Sequence, residues 1–162
     1  MKDAIAKAFE ESIHAKRAFL KENLDTLVAV IDLIAQAFLG GNKLLTFGNG
    51  GSAADAQHIA AEFVNRFRIE RPPLPALALT TDSSAITSIA NDYDYKEIFA
   101  KQLKALGKEG DVALAISTSG NAANVSAASN SRWARAPSAL RLASTTAVPV
   151  ITMFSPPSAS RP

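Results

Sequence analysis

The stretch Leu44-Leu45-Thr46-Phe47-Gly48-Asn49-Gly50-Gly51-Ser52 leaves a chain few ways to fold. It reads as a short buried strand, a glycine turn and the opening of a helix. Three glycines in four positions let the backbone take positive φ and bring its N–H groups close to a ligand. Ser52 and Asp55 have the Ser-x-x-Asp spacing of a helix N-cap. Free N–H groups at a helix start and the positive end of its dipole suit a phosphate. The bland alternative is a strand-to-helix turn that binds nothing.

On either side of this turn, strands alternate with helices. Ile5, Phe9 and Ile13 start a helical stripe that Leu24, Leu27, Val28, Ile31, Ile34, Ala35 and Phe38 continue at spacings of three and four. We read this as two amphipathic helices ahead of the first strand, stopped by Gly40-Gly41. One α/β layer needs less helix than that, so their apolar faces are expected to meet a second copy of the chain. A strand over 43–47 and a helix over 52–66 follow. Pro72, Pro73 and Pro75 form a linker before a strand at 76–79. Helices are expected over 84–90 and 95–106, separated by the polar turn Asn91-Asp92-Tyr93-Asp94. A third strand, 112–116, is apolar on both faces, as a central parallel strand should be. It leads into Ser117-Thr118-Ser119-Gly120-Asn121 and another helix.

Alternation of this kind implies a parallel sheet with helices on both sides. Ligands of such sheets bind at the carboxyl ends of the strands, where strand order reverses. Both polar turns, 48–52 and 117–120, fall at strand carboxyl ends. Three hydroxyls in a row beside a helix start suit a phosphate, since each oxygen can take one donor. Helix capping explains one of those hydroxyls and leaves two. His58 and Glu62, spaced i, i+4, share a face of the helix that leaves the glycine turn. Such a pair can supply two of the four ligands of a zinc ion, and Glu62 can act as a general base. His14, among Glu11, Lys16 and Arg17, is left out of the site.

Composition excludes several classes. At 162 residues and 48% hydrophobic, the chain holds about one domain with an ample core. No apolar run approaches the roughly 20 residues of a membrane span, and the start resembles no signal peptide. The cytoplasm is therefore expected, with no membrane partner. The absence of cysteine excludes disulfides and thiolate metal sites. Up to residue 126, nine Lys and four Arg face fifteen acids, a net charge of −2. From 127 onward there are four arginines, no lysine and no acid. Four scattered arginines make too thin a footprint for a nucleic-acid arm.

Taken together, residues 47–52 with Asp55, His58 and Glu62, the Asn91-Asp92 pair, and Gly110-Asp111-Val112 leading into 116–121 resemble the phosphoheptose isomerases of the sugar isomerase (SIS) domain superfamily. The resemblance runs over about residues 1–125. It implies a three-layer α/β fold and conversion of sedoheptulose 7-phosphate to D-glycero-D-manno-heptose 7-phosphate, a step toward lipopolysaccharide or surface polysaccharide. It also implies a cytoplasmic homotetramer with one zinc ion per subunit. Carried over by position, it assigns Asn49, Gly50, Gly51, Asn91 and Asp92 to the sugar, and Ser117, Thr118 and Ser119 to its phosphate. His58 and Glu62 would ligate zinc, and Glu62 would move the proton between C1 and C2.

Two departures set further expectations. Ala122 stands where the family has a serine that donates to the phosphate. The family also continues with further strands and a last helix that supply a Gln and a His to the zinc site, whereas the only histidines here are His14 and His58. After Val125 the composition changes abruptly, and 128 onward reads as translated out of frame or unrelated to the family. The expectation is an incomplete SIS-like domain over 1–126, an aberrant Ser/Ala/Pro/Arg-rich tail over 127–162, loss of the family's C-terminal strands and helix, and weak activity. A strand within 147–154 is the alternative for the tail. The rival function is a non-catalytic SIS protein that senses a sugar phosphate or binds the bacterial replication initiator. In the relative that binds the initiator, a serine occupies the place of Glu62.

Overall fold

The computed structural model describes residues 1–130 and two strands beyond them, Leu140–Leu142 and Val150–Phe154. Its first element corrects the sequence reading. Lys2–Leu39 is one continuous helix, α1, where two were expected. No glycine or proline precedes Gly40, and Ala15, Lys16, Arg17, Ala18, Leu20, Lys21 and Glu22 are all good helix formers, so nothing ends a first helix there. The stop at Gly40-Gly41 is as expected. Gly41 takes φ +74°, and the N–H of Asn42 returns to the carbonyl of Ala37 at 2.9 Å.

Three parallel strands form the centre: β1 (Leu44–Gly48), β2 (Ala76–Ala78) and β3 (Val112–Ser117). β1 lies between the other two, with Leu44 opposite Ala76 on one side and Val112 on the other. The chain therefore leaves β1 toward one neighbour and returns to the other, which puts the reversal of strand order at the carboxyl ends of β1 and β3. The crossover helices are α2 (Gly51–Val64), then α3 (Ser83–Asp92), a 3₁₀ turn (Tyr95–Glu97) and α4 (Ile98–Leu106). A last helix, α5 (Ala123–Asn130), follows β3 and runs through the expected boundary at 126.

Side chains alternate across the sheet, as the strand period of two requires. Leu45, Phe47, Ala113 and Ala115 face α3, α4 and α5, in a cluster with Ile98, Phe99, Leu103 and Val125. The rings of Phe47 and Phe99 lie 4.9 Å apart and are fully buried, each worth about 1.5–3 kcal/mol. Leu44, Val112, Leu114 and Ile116 face α1 and α2. Only the last turns of α1 join this second cluster, through Val30, Leu33, Ile34, Ala37 and Phe38. Ile5, Phe9, Ile13, Leu20, Leu24, Val28 and Ile31 are exposed on the rest of it.

The expected parallel sheet is present as β2-β1-β3, and two further strands extend it. β5 (Val150–Phe154) runs antiparallel to β3, and β4 (Leu140–Leu142) antiparallel to β5, giving the order β2-β1-β3-β5-β4. An antiparallel addition needs no crossover helix, and the β-branched and aromatic run at 150–154 suits a strand. The tail thus adds two antiparallel strands, and the strand considered within 147–154 is one of them. Residues 131–139, 143–149 and 155–162 lie outside the described residues, and so does most of the segment read as aberrant.

The amino ends of β1 and β3 are pinned by one carboxylate. Asp111, 1% exposed, accepts from the N–H groups of Lys43 (3.0 Å) and Lys108 (2.8 Å) and pairs with the Lys43 ammonium. Gly110 makes this possible at φ +88°; a Cβ there would clash with the Asn42 amide.

Candidate functional site

At the opposite edge, two turns come together because β1 and β3 are neighbours in register, Gly48 opposite Ile116. Gly48 is required there. A Cβ on it would lie 2.6 Å from the carbonyl oxygen of Ile116 and 2.8 Å from the Cβ of Ser52. The helix α2 then starts at Gly51 with Gly50 as its N-cap at φ +53°. This corrects the Ser52–Asp55 reading: Ser52 lies inside the first turn, buried, and makes no side-chain cap. A glycine takes the cap because positive φ is needed to reverse from strand to helix. Ala53 N–H already donates to the Gly50 carbonyl at 3.0 Å, while the amides of Gly51 and Ser52 precede the first intrahelical bond and lie at the edge where a ligand binds in such sheets.

The second turn is ordered by its own hydroxyls. Ser117, 6% exposed, accepts from the N–H of Gly120 at 3.1 Å, and Ser119 accepts from Asn121 at 3.2 Å. Each serine oxygen is thereby occupied as an acceptor while its O–H remains a donor. Thr118 lies between them, exposed. Ala122 packs against the core on the α5 side.

Sequence reasoning passed over the residue that joins the turns. Asn124, 2% exposed, exchanges two hydrogen bonds with Asn49, each Nδ2 donating to the other's Oδ1 at 2.8 Å. The N–H of Val125 donates to Asn124 Oδ1 at 2.9 Å, and Tyr95 Oη donates to Asn49 Oδ1 at 3.4 Å. Asn124 itself carries no periodic or motif signal, and the pairing spans 75 residues, so no local pattern points to it. Asn91 and Asp92 are exposed at the end of α3, bonded to each other at 2.9 Å. They lie three residues before Tyr95, whose hydroxyl reaches the glycine turn.

His58 and Glu62 are placed differently. Thr46 Oγ1 donates to the carbonyl of Ala56, and further along α2 the carbonyl of Phe63 accepts from Leu74, next to the Pro75 carbonyl that bonds Leu44. α2 therefore descends from the carboxyl edge to the amino edge, and Glu62 lies about 16 Å along its axis from Gly51. His58 Nε2 and Glu62 Oε1 are 3.3 Å apart, with side chains 74% and 31% exposed. Arg71 holds the end of the helix by donating to the carbonyls of Glu62 and Phe63. Within one chain the carboxylate and the hydroxyl trio are thus not brought together. Among the described residues no group of three or more His, Cys, Asp or Glu side chains could hold a metal ion.

The SIS domain pattern matches residues 8–134. The chain belongs to the SIS domain family. Its resemblance to the phosphoheptose isomerases is borne out. It is 58% identical over 125 residues to the phosphoheptose isomerase of Thermodesulfovibrio yellowstonii, covering 77% of this chain and 62% of that one. It is 55% identical to that of Shewanella oneidensis, covering 77% and 64%. Among solved structures, it is similar to the phosphoheptose isomerase of Neisseria gonorrhoeae (47% identity, TM-score 0.72) and to one from Francisella tularensis (41%, 0.74), covering 78% of this chain and 66% of each. This SIS domain chain therefore spans about 62–66% of the length of these relatives. No helix among the described residues is long and apolar enough to cross a membrane.

Proposed function

We propose that the chain binds sedoheptulose 7-phosphate at the carboxyl edge of its sheet and interconverts it with D-glycero-D-manno-heptose 7-phosphate. The observation that carries this reading is the meeting of the two turns where strand order reverses, in a chain 58% identical to a phosphoheptose isomerase. Ser117, Thr118 and Ser119 would donate to the phosphate, while Asn49, Gly50 and Gly51, with Asn91 and Asp92, take the sugar. Isomerisation needs one base over two carbons. The Glu62 carboxylate would remove a proton from C1 of the ketose while the C2 carbonyl oxygen takes one from water to form the enediol, and the proton on Glu62 then returns to C2 as the O1 proton passes back to water. The names of the relatives and the carboxylate at Glu62 disfavour the binding-only rival.

The placement of Glu62 supports a homo-oligomer, tetrameric as the resemblance implies. With the base far from the hydroxyls of its own chain, the turns of one copy and α2 of another would complete the site, and the exposed apolar stripe of α1 offers a surface for that contact. For zinc, the described residues provide two donors, His58 and Glu62, where a tetrahedral site takes four. The donor set does not fit a closed zinc site. Residence in the cytoplasm follows from the same reading, since sugar phosphates are made and used there.

Adding sedoheptulose 7-phosphate to the purified chain and following aldose formation tests the proposal. Binding with slow turnover is expected, at least about tenfold below a full-length relative. Glu62→Gln should remove about 10²-fold or more of that turnover and leave binding in place. Unchanged turnover in this variant would sink the assignment of the base.

A further inference from the structure

The reciprocal amide pair between Asn49 and Asn124 does more than fill space. Two lone pairs on each side-chain carbonyl oxygen are in use: Asn49 Oδ1 takes Asn124 Nδ2 and Tyr95 Oη, and Asn124 Oδ1 takes Asn49 Nδ2 and the N–H of Val125. Each amide keeps one N–H beyond the pair, so Asn49 can hold Asn124 and still donate to a ligand hydroxyl. Beneath the pair the backbones already touch, since nothing larger than hydrogen fits on Gly48 against the Ile116 carbonyl. The pair is the side-chain layer above that contact. It fastens the start of α2 to the first turn of α5, and Tyr95 fastens the end of α3 to the same point.

We propose that Asn124 and Asn49 form a positioning pair that sets the span between the glycine turn and the hydroxyl turn, and thereby the length of phosphate ester that fits both. This rests on the sugar-phosphate reading above. Neither side chain is assigned to the reacting carbons; the pair acts through where it holds the donors of residues 50–52 and 117–119. A ligand that touches one turn is indifferent to the span. A ligand that touches both is not.

Titration calorimetry with two probes separates these cases. For Asn124→Ala, the Kd for sedoheptulose 7-phosphate should rise about tenfold, while the Kd for inorganic phosphate stays within about twofold. Asn49→Ala, at the half-buried end of the pair, removes the same two bonds together with the bond from Tyr95 and its own contact to the sugar. Its Kd for sedoheptulose 7-phosphate should therefore rise at least as much while that for inorganic phosphate again stays within about twofold, a result that decides the matter even if the Asn124 variant folds poorly. The double variant should be no worse than Asn49→Ala alone, because the pair is already lost in that variant. Equal losses for both probes, or additive losses in the double variant, would overturn the proposal. Hydrogen exchange without any ligand supplies the second arm. Asn124→Ala should speed exchange at the amides of 50–54, some 70 residues away in sequence, and spare those of 112–116. Unchanged exchange at 50–54 also overturns it. If the unaltered protein binds inorganic phosphate but no sugar phosphate, the proposed function fails, and the exchange arm still decides whether the pair holds the turns.

Discussion

β1 and β3 are pinned to each other twice, once at each end, and the two pins are built from different chemistry. At the amino end a buried carboxylate, Asp111, takes two backbone N–H groups and the Lys43 ammonium. At the carboxyl end two neutral amides, Asn49 and Asn124, take each other. The charged pin is closed: three donors converge on one carboxylate that is 1% exposed and so out of a ligand's reach. The neutral pin is flanked by turns whose donors remain available, the amides of Gly51 and Ser52 and the serine and threonine hydroxyls before α5. A buried charge that lost a partner would cost several kcal/mol, which suits a group meant to stay fixed. Neutral amides hold position without setting a negative charge beside a site that is to receive a phosphate.

The largest effect should come from opening the charged pin. Asp111→Ala leaves two backbone donors and an ammonium without their acceptor, and should lower stability by about 3 kcal/mol, or roughly 6–12 °C in melting temperature. Phosphate affinity of the protein that remains folded should not change; a change there would break the division of labour between the ends. Next in size is Gly48→Ala, where the added methyl meets backbone on β3 and must move it, at about 1–3 kcal/mol by urea denaturation. This variant should also weaken phosphate binding, because the shift occurs under the turns. Ser117→Ala comes third. It removes one donor and strands the Gly120 amide, so phosphate affinity should fall about tenfold by calorimetry while stability falls by about 1 kcal/mol. Equal effects on stability for Ser117→Ala and Asp111→Ala would erase the distinction between the two edges. The smallest effect on folding is expected from Phe9→Ser on exposed α1, within about 0.5 kcal/mol. Any change it causes should appear in the association state by ultracentrifugation.

How much of this was legible beforehand follows the range of the forces involved. Strand, glycine turn and helix around residues 44–64 were readable because glycines and apolar runs act locally, and so was the stop at Gly40-Gly41. The break expected within α1 was misplaced because gaps in an apolar stripe report what a helix packs against, not where it ends; only the last turns of α1 meet the sheet. The Ser-x-x-Asp spacing at 52–55 misled for a related reason, as the demand for positive φ moved the cap to Gly50. Ser117 to Ser119 were legible by type, and the structure adds that Ser117 and Ser119 are oriented by the amides they accept. Asn124 was not legible. Its partner is set by strand order, which no pattern along the chain encodes. Glu62 was readable as a helix neighbour of His58, but its distance from the turns follows from the descent of α2 across the whole sheet.

α1 is 38 residues long, about 57 Å, and contributes only its final turns to the interior. Among the described residues, the first two dozen leave Ile5, Phe9, Ile13, Leu20 and Leu24 exposed and only half-bury Phe19, so little within the domain insures them against melting. Their unfolding should then track protein concentration, fraying on dilution while the sheet stays intact.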